Sequence, residues 1–238
     1  MKIKAVLFDL DGTLLPMKQE DFVKAYFGGI AKRLAPRGYQ PQSLINAIYK
    51  GTGAMVLNNS QYNNESVFWN VFAEIFGEDK RADIKYFDEY YTLDFDDVKN
   101  VCGFNKDVSK VVKEIKDMGF RVALATNPIF PAIATRKRIQ WTGLQPEDFE
   151  FITTYENSNR CKPNLEYYKQ ILAKLKLSAE ECLMVGNDVD EDMVAKDLGM
   201  HVFLLTDNVI NKNNLDTSVY PQGGFVDLMN YIKEISKD

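Results

Sequence analysis

The chain has 238 residues, which is enough for one large domain or for a large domain and a small one. Apolar residues make up 45% of it and aromatic residues 12%, which argues against global disorder because a sizeable core can form. The net charge of −5 gives no electrostatic footprint for nucleic acid, and no apolar stretch reaches the roughly 18–20 residues of a membrane span, so neither partner is predicted.

The first predicted element is a buried strand from Ile3 to Phe8, an apolar run broken only by Lys4. Asp9-Leu10-Asp11-Gly12-Thr13 follows directly, and its Asp-Gly pair predicts a turn. Two carboxylates therefore lie at the carboxyl end of a core strand, where open α/β sheets bind ligands. Like charges this close repel each other, and a divalent cation with oxygen ligands would neutralise them. Taken alone, the pair indicates either a polar turn or a metal site.

Residues 17 to about 98 show amphipathic patterns without convincing strands. Aromatic residues are dense in this part, and at helical spacing they are more typical of a core than of a ligand-stacking site. We therefore predict a separate, all-helical domain at residues 17–99, inserted between the two parts of a larger domain at 1–16 and 100–238. The predicted helices of this insertion are Glu20 to Leu34, Pro41 to Leu57, Glu65 to Phe76 and Ala82 to Tyr91.

Strand-like runs alternate with helical patterns in the second half of the chain. Glycines just past the last turns mark where several of these helices stop. This alternation predicts βαβ units, and hence an α/β fold with a Rossmann-like parallel sheet and flanking helices. The predicted strands are Arg121 to Ala125, Phe149 to Thr153, Leu183 to Val185 and His201 to Leu205, and the predicted helices are Val108 to Met118, Pro131 to Trp141, Leu165 to Leu177 and Asp192 to Leu198.

Polar residues adjoin these predicted elements at several places. Thr126-Asn127 follows a strand near a helix N-terminus, whose N–H groups and dipole can hold a phosphate. Lys162, beside Pro163, is either a fixed positive charge of a site or a surface lysine. The segment Gly186 to Asp192 contains four acidic residues within five positions. They are either helix-capping groups or ligands of a cation. Arg136-Lys137-Arg138 is interpreted as a solvent-exposed helix face, with attraction of an anion as the alternative.

The order and chemistry of these groups resemble the haloacid-dehalogenase-like (HAD) hydrolase superfamily. Asp9 to Thr13 looks like its first motif, Thr126 like the second, Lys162 like the third and Gly186 to Asp192 like the fourth. The resemblance runs across the whole chain, since the helical insertion is similar to the cap that many members insert after the first motif. It implies that the larger domain is a catalytic core and the insertion a cap.

The resemblance implies a magnesium-dependent phosphatase that acts on a small phosphorylated metabolite. Asp9 would be the nucleophile, attacking phosphorus to form an aspartyl-phosphate. Asp11 would protonate the leaving alcohol and then deprotonate the water that hydrolyses the intermediate. Thr126, Asn127 and Lys162 would bind the phosphoryl group, and Lys162 would also offset the charge of the transition state.

The same resemblance implies a magnesium site. Mg²⁺ would be held by the side chain of Asp9, the backbone carbonyl of Asp11 and Asp188, with Asp192 as a possible further ligand. Water and phosphate oxygens would complete a roughly six-fold shell. Zinc is not expected, because the chain has one histidine and no cluster of zinc ligands.

The fourth motif departs from the family pattern, which commonly begins with Gly-Asp, because this chain has Gly186-Asn187-Asp188. If the acidic pair sets the register, Asp188 is the metal ligand and Asp192 its companion. If the following helix and Gly199 set it, the second acid is Glu191, and Asn187 or Asp188 lies at the metal. Asp188 is preferred because a carboxylate is the harder, charged ligand, but both registers stay open.

Three alternatives to a phosphatase also stay open. A sugar-phosphate mutase of this fold uses the same acids, a phosphonate hydrolase would need a cap lysine that forms a Schiff base, and a non-catalytic binding module would have lost the activity. Lys18, Lys24 and Lys50 are candidates for the cap lysine by location only. Asp11 argues against a dehalogenase, which has no leaving alcohol to protonate and lacks this second acid.

Substrate specificity is expected to lie in the cap, which must close over the site and exclude water. Oligomeric state is left as a monomer or a homodimer. The polar cap residues that are candidates for facing the site are Arg33, Arg37, Lys50, Thr52 and Asn58.

Cysteine usage bears on the compartment. Cys102, Cys161 and Cys182 are an odd number without the C-x-x-C spacing, which predicts free thiols in a reducing cytoplasm. The N-terminus lacks a signal-peptide pattern, because Asp9 and Asp11 interrupt its only apolar run. The expected location is therefore cytoplasmic.

Overall fold

A parallel sheet forms the centre of the protein, whose computed structural model describes residues 3–236. Its strands in chain order are β1 Ala5–Phe8, β2 Arg121–Leu124, β3 Phe151–Ile152, β4 Cys182–Gly186, β5 His201–Leu205 and β6 Gln222–Gly223. They are arranged β3-β2-β1-β4-β5-β6, and every neighbouring pair is parallel. The predicted α/β fold with a Rossmann-like parallel sheet is therefore confirmed, and β6 extends it by one short strand that the sequence pattern did not indicate.

Eight α-helices accompany the sheet within residues 3–236. They are α1 Gln19–Leu34, α2 Pro41–Val56, α3 Asn64–Phe76, α4 Ile84–Leu93, α5 Asp107–Asp117, α6 Ala132–Trp141, α7 Leu165–Leu175 and α8 Phe225–Ile235. The first seven lie within a few residues of their predicted bounds, whereas α8 was not predicted. Across the described range, none of the helices has both the length and the apolar character that a membrane crossing requires.

Strand β1 lies in the middle of the sheet, and all four of its residues are fully buried. An apolar run covered on both faces is typical of a central parallel strand. Phe8 pairs with Leu124 of β2 and with Val185 of β4, so the three strands end at the same level. The ladder continues one residue further, because the N–H of Asp9 donates to Val185 (2.9 Å) and the N–H of Ala125 donates to Phe8 (2.7 Å). The segments that follow these strands therefore start side by side.

The helical segment, residues 19–101, contains α1 to α4 joined by turns and short 3₁₀ helices. Its interior consists largely of aromatic rings, which pack mostly at tilted or edge-on angles. The fully buried ring of Phe72 has five ring neighbours at centroid distances of 5.0–6.1 Å: Tyr39, Phe68, Trp69, Phe76 and Phe87. Gly51 allows α2 to approach α3, since a Cβ there would lie 2.6 Å from the Phe68 ring.

The chain enters and leaves the helical segment at one place. Met17 and Cys102 form an isolated antiparallel bridge, and the N–H of Gly103 donates to the carbonyl of Pro16 at 2.7 Å. The predicted junctions near Leu15-Pro16 and Asn100-Gly103 fall on this pair of crossings. The division into a core at 1–16 and 100–238 and a cap at 17–99 stays a prediction, and its residues 1, 2, 237 and 238 lie outside the described range.

The predicted helix from Asp192 to Leu198 is instead a 3₁₀ helix, Met193–Leu198. Asp192 is fixed by hydrogen bonds from the backbone of Asp188 and from Lys162, and Gly199 ends the segment with a φ of 89°. Only six residues remain between these two points, which favours the tighter 3₁₀ form.

Candidate active site

Asp9 follows β1 directly, and its carboxylate is held at both oxygens. Oδ1 accepts a hydrogen bond from Nζ of Lys162 at 2.9 Å, and Oδ2 lies 3.2 Å from Oγ1 of Thr13. The residue is 8% exposed and lines a cavity of about 880 Å³. A carboxylate that is held in one direction beside a cation and is open to a cavity is suited to attack a bound electrophile.

The turn after Asp9 depends on Gly12, which has a φ of 90° and whose N–H donates to Leu15 at 2.8 Å. A Cβ at this position would lie 2.4 Å from Nδ2 of Asn187. The hydroxyl of Thr13 lies 2.8 Å from Oδ1 of Asn187, and Nδ2 of Asn187 donates to the carbonyl of Asn208 at 2.7 Å. The Asn187 amide therefore braces the turn.

Lys162 links the first and fourth predicted motifs. Its Nζ lies 2.9 Å from Asp9 and 2.6 Å from Oδ1 of Asp192, and its side chain is 1% exposed. Burial alone would lower the pKa of Lys162, but Asp192 and Asp9 outweigh burial and hold that pKa well above its ordinary value. The ammonium therefore stays protonated across the neutral range, as the charge-offsetting prediction requires.

Asp192 is the acid that reaches Lys162, and it is 1% exposed. Its Oδ2 accepts the backbone N–H of Asp188 at 3.0 Å. Burial raises the pKa of Asp192, and Lys162 opposes this effect. Gly186 makes room for the carboxylate, since a Cβ there would lie 2.0 Å from Oδ2 of Asp192.

Asp188 also faces the cavity and is 8% exposed. Its Oδ1 accepts the backbone N–H groups of Asp190 and Glu191, each at 2.9 Å. Glu191 also lines the cavity, and its Oε2 accepts a hydrogen bond from Nδ2 of Asn127 at 3.0 Å. Within residues 3–236, no three side chains of His, Cys, Asp or Glu are grouped as a metal-binding cluster.

Thr126 and Asn127 leave β2 at the same edge and line the cavity. The Thr126 carbonyl is anchored by the hydroxyls of Thr153 (2.6 Å) and Tyr167 (2.8 Å), and its side chain is buried. Helix α6 begins at Ala132, one residue after its predicted start, and the N–H of Ala132 donates to Glu156 at 2.8 Å. That first amide group of α6 is therefore engaged within the protein.

The cavity continues from the sheet edge into the helical segment. Among the polar cap candidates, Thr52 lines it. Arg33 pairs with Asp94, Arg37 stacks on Tyr86, Asn58 bonds with Asn64, and Lys50 is exposed and outside the lining. Of the lysines considered for a Schiff base, Lys18 lines the cavity, whereas Lys24 and Lys50 do not.

A family model described as haloacid dehalogenase-like hydrolase matches residues 3–199. The chain belongs to this hydrolase family. As a HAD hydrolase it carries the four groups that the sequence resemblance identified, with Asp9, Thr126 and Asp188 lining one cavity and Lys162 bonded to Asp9 beneath it.

Known proteins resemble this HAD hydrolase over most of their length. The glyceraldehyde 3-phosphate phosphatase of Methanocaldococcus jannaschii is 27% identical over 247 residues, which cover 99% of this chain and 100% of that protein. The phosphoglycolate phosphatase of Vibrio cholerae is 30% identical over 205 residues, 86% of this chain and 84% of that protein. The crystal structure of a HAD phosphatase from Thermococcus onnurineus superimposes with a TM-score of 0.60 at 19% identity, covering 97% of this chain and 98% of that one. The predicted family, the hydrolase class and the fold are confirmed.

Arg138 of this HAD hydrolase was misjudged from the sequence. The run Arg136-Lys137-Arg138 was expected to face solvent, and Arg136 does, but Arg138 is 1% exposed and forms an ion pair with Asp11. The helical period carries the signal that was missed. Arg138 shares the buried face of α6 with Ala134 and Ile139, and Arg136 lies on the opposite face.

The Arg138 guanidinium is enclosed by aromatic rings and polar neighbours. It lies 4.4 Å from the ring centroid of Phe130 and 6.0 Å from that of Phe22, and Nη2 donates to Thr135 at 3.3 Å. Its partner Asp11 is 31% exposed in the side chain, and Oδ1 of that carboxylate has no hydrogen-bond partner among residues 3–236. Burial raises the pKa of Asp11, and Arg138 opposes this with the largest lowering effect. Asp11 is thus more readily protonated than an ordinary aspartate.

Proposed function

We propose that the protein is a magnesium-dependent phosphatase that hydrolyses a small phosphomonoester through an aspartyl-phosphate on Asp9. The observation that carries this proposal is the position of Asp9, which is fixed by Lys162 and Thr13 and open to the cavity. Family membership and the phosphatases among its relatives support the same reaction class.

Two carboxylates divide the proton and phosphoryl chemistry. An oxygen of Asp9 forms a bond to phosphorus while the bond from phosphorus to the alcohol oxygen breaks. Asp11 gives its proton to that oxygen, and afterwards takes a proton from the water that attacks the aspartyl-phosphate. The raised pKa of Asp11 supports this role, since the acid must hold a proton near neutral pH.

Lys162, Thr126 and Asn127 would hold the transferring phosphoryl group. Lys162 supplies a permanent positive charge at Asp9, and Thr126 presents a buried hydroxyl-bearing side chain at the cavity wall. Oδ1 of Asn127 is buried without a partner among residues 3–236, which leaves it open to a ligand donor such as a metal-bound or attacking water. Fixed groups of this kind stabilise charge without reorganising during the reaction.

The donor set at the sheet edge fits Mg²⁺. Asp9 and Asp188 present carboxylate oxygens at the cavity, and the carbonyl of Asp11 would add a third oxygen; hard oxygen ligands of this kind suit Mg²⁺ rather than zinc. Asp192 would support the site through Lys162, which agrees with the register anchored on the acidic pair. When bound, the cation would neutralise the phosphoryl oxygens.

The compartment follows from the cysteines. Cys102, Cys161 and Cys182 are all free thiols, and the last two are buried. This supports a reducing, cytoplasmic environment.

The test measures phosphate release from p-nitrophenyl phosphate. The wild-type enzyme is assayed with Mg²⁺ and with EDTA, and the Asp9→Asn variant is assayed with Mg²⁺. We expect release only with Mg²⁺, and a loss of at least about 1,000-fold in D9N because the nucleophile is gone. Asp207→Asn, an exposed acid that does not line the cavity, is the matched control and should keep wild-type activity.

The intermediate gives an independent readout. Mass spectrometry of acid-quenched enzyme should find one added phosphoryl group on the peptide that contains Asp9. Equal activity of wild type and D9N, or a phosphoryl group on another residue, would contradict the proposed nucleophile.

A further inference from the structure

The cavity beside Asp9 is much larger than a phosphoryl site alone requires. Its volume is about 880 Å³, whereas pockets that enclose drug-sized ligands measure roughly 300–1,000 Å³. A phosphate ester of a three-carbon alcohol would leave most of this space filled with water. The site therefore has room for a large leaving group.

The wall of the cavity beyond the sheet edge is mainly aromatic and aliphatic. Helix α1 contributes Phe22, Val23, Tyr26 and Phe27, and α2 contributes Ile48, Tyr49 and Val56, at spacings that put them on one face of each helix. Further rings come from α3, α4 and the segments after β2 and β3, namely Phe68, Trp69, Phe87, Tyr91, Phe130 and Tyr155.

Several of these apolar groups remain accessible to solvent. Tyr49 is 55% exposed and Val56 is 42% exposed, although both line the cavity. Val23 and Phe27 are half-buried, and the Phe27 and Tyr49 rings lie 4.8 Å apart. Contiguous apolar surface inside a concave site is typical of ligand binding rather than of core packing.

Polar groups on this wall are few, and they include Thr52 and Nε1 of Trp69, which has no hydrogen-bond partner among residues 3–236. The hydroxyls of Tyr26 and Tyr91 lie 2.9 Å apart and bond to each other. The charged lining residues away from the sheet edge, Lys18, Glu20, Asp21 and Lys212, are all exposed. Sugar hydroxyls placed against the aromatic wall would lose their hydrogen bonds to water, and Thr52 and Trp69 could replace only a few of them.

We propose that the substrate of this enzyme is the phosphate monoester of a bulky, apolar alcohol, whose body lies against the aromatic wall while its phosphoryl group meets Asp9. The inference rests on the proposed phosphatase function and narrows its substrate class. Burial of the leaving group also displaces water from the cavity, so that the proton of Asp11 goes to the alcohol oxygen in a dry environment.

The test compares alkyl phosphates whose alcohols have similar acidity, so that leaving-group chemistry does not decide the result. The probes are 2-(2-naphthyl)ethyl phosphate, ethyl phosphate and glycerol 3-phosphate, each assayed for phosphate release with Mg²⁺. We expect kcat/KM for the naphthyl ester to exceed that of the other two by at least about 100-fold, since each buried methylene is worth about fourfold.

A matched pair of tyrosines tests the wall itself. Tyr49→Ser should lower kcat/KM for the naphthyl ester about five- to tenfold and leave that of ethyl phosphate unchanged. Tyr62→Ser removes a tyrosine that is 66% exposed but outside the cavity, and should change neither value.

The possible failures are distinguishable. If p-nitrophenyl phosphate is hydrolysed but glycerol 3-phosphate matches or exceeds the naphthyl ester, the inference is overturned and the proposed function stands. If Y49S lowers both esters equally, the aromatic wall does not select the leaving group. If no ester releases phosphate, the proposed function itself fails and this inference fails with it.

Discussion

The sheet edge and the helical segment bury very different side chains. At the sheet edge Asp9, Lys162, Asp192 and Arg138 are all less than a tenth exposed, and each is bonded to an opposite charge. The helical segment buries aromatic and aliphatic side chains around Phe72. Buried charges lose their hydration and add little to stability, whereas buried rings drive folding. Breaking a charge pair at the sheet edge should therefore lower both stability and activity, because it leaves a buried charge unpaired, whereas emptying the helical core should lower stability alone.

The largest expected effect follows from removing the cation at the sheet edge. In Lys162→Met, Asp9 and Asp192 stay buried without their shared partner, so the free energy of unfolding should fall by about 3–5 kcal/mol. Activity on p-nitrophenyl phosphate should fall about 100- to 1,000-fold, because a positive charge is lost from the transition state. Urea denaturation and steady-state kinetics measure the two effects. Lys169→Met, on exposed Lys169 paired with Glu166, should change stability by less than about 0.5 kcal/mol.

The matching change in the helical segment removes an aromatic ring from its core. Phe72→Ala should lower the free energy of unfolding by about 3–5 kcal/mol, because it empties a fully buried position among five rings. Phe72 does not line the cavity, so kcat of the folded fraction should stay within about twofold of wild type. A tenfold fall in kcat, measured where urea curves show the variant to be folded, would mean that the two regions are not separable.

A smaller effect is expected where the regions meet, at Arg138. Arg138 lowers the pKa of Asp11, so Arg138→Met should raise it further. In the proposed mechanism protonated Asp11 is the form that donates, and a higher pKa keeps it protonated to higher pH. The alkaline limb of kcat/KM for an alkyl phosphate should therefore move upward in R138M and stay near wild type in R138K.

Arg136→Met is the control for that experiment, since Arg136 lies on the exposed face of the same helix. The interpretation fails if R136M and R138M shift the limb equally, or if R138M moves it downward.

The smallest effect concerns the thiol of Cys161, which accepts a hydrogen bond from Asn64 at 3.3 Å and lies 3.4 Å from the Met55 carbonyl. Burial raises its pKa to about 12, so the thiolate fraction at pH 8 is on the order of one in ten thousand. Iodoacetamide should label Cys161 in folded protein more slowly than half-buried Cys102, whose pKa is about 11. Peptide mass spectrometry measures the labelling of each cysteine. Equal labelling of Cys161 and Cys102 would indicate that the boundary between the sheet edge and the helical segment opens readily.

The sequence predicted the sheet edge well because parallel strands end at a common level. Asp9 follows β1 directly, and Thr126 and Asp188 each follow the end of a neighbouring strand after one intervening residue, so the topology brings them together. The separation of helical and α/β patterns likewise predicted the elements of the helical segment to within a few residues.

What the sequence did not predict depends on side-chain partners far apart in the chain. Arg138 meets Asp11 across 127 positions, and a run of basic residues gives no indication of such a partner. In the fourth motif, Asn187 bonds to Thr13, Glu191 to Asn127 and Asp192 to Lys162. The spacing of residues along the chain does not specify these hydrogen bonds. Helix α8 is an exception, because its amphipathic pattern is local: Leu228, Met229 and Ile232 follow the helical period.

Gly186 carries no functional group, and yet it limits which amino-acid replacements the enzyme can tolerate. Any Cβ there would overlap the Asp192 carboxylate, which is 1% exposed and holds Lys162. Even alanine would have to displace the acid that keeps the ammonium beside Asp9. In a saturation library selected for activity, this position should accept only its native residue, whereas Asp207, an exposed acid that does not line the cavity, should vary freely. The absence of a side chain at Gly186 is therefore as strict a requirement of the site as the proposed nucleophile Asp9.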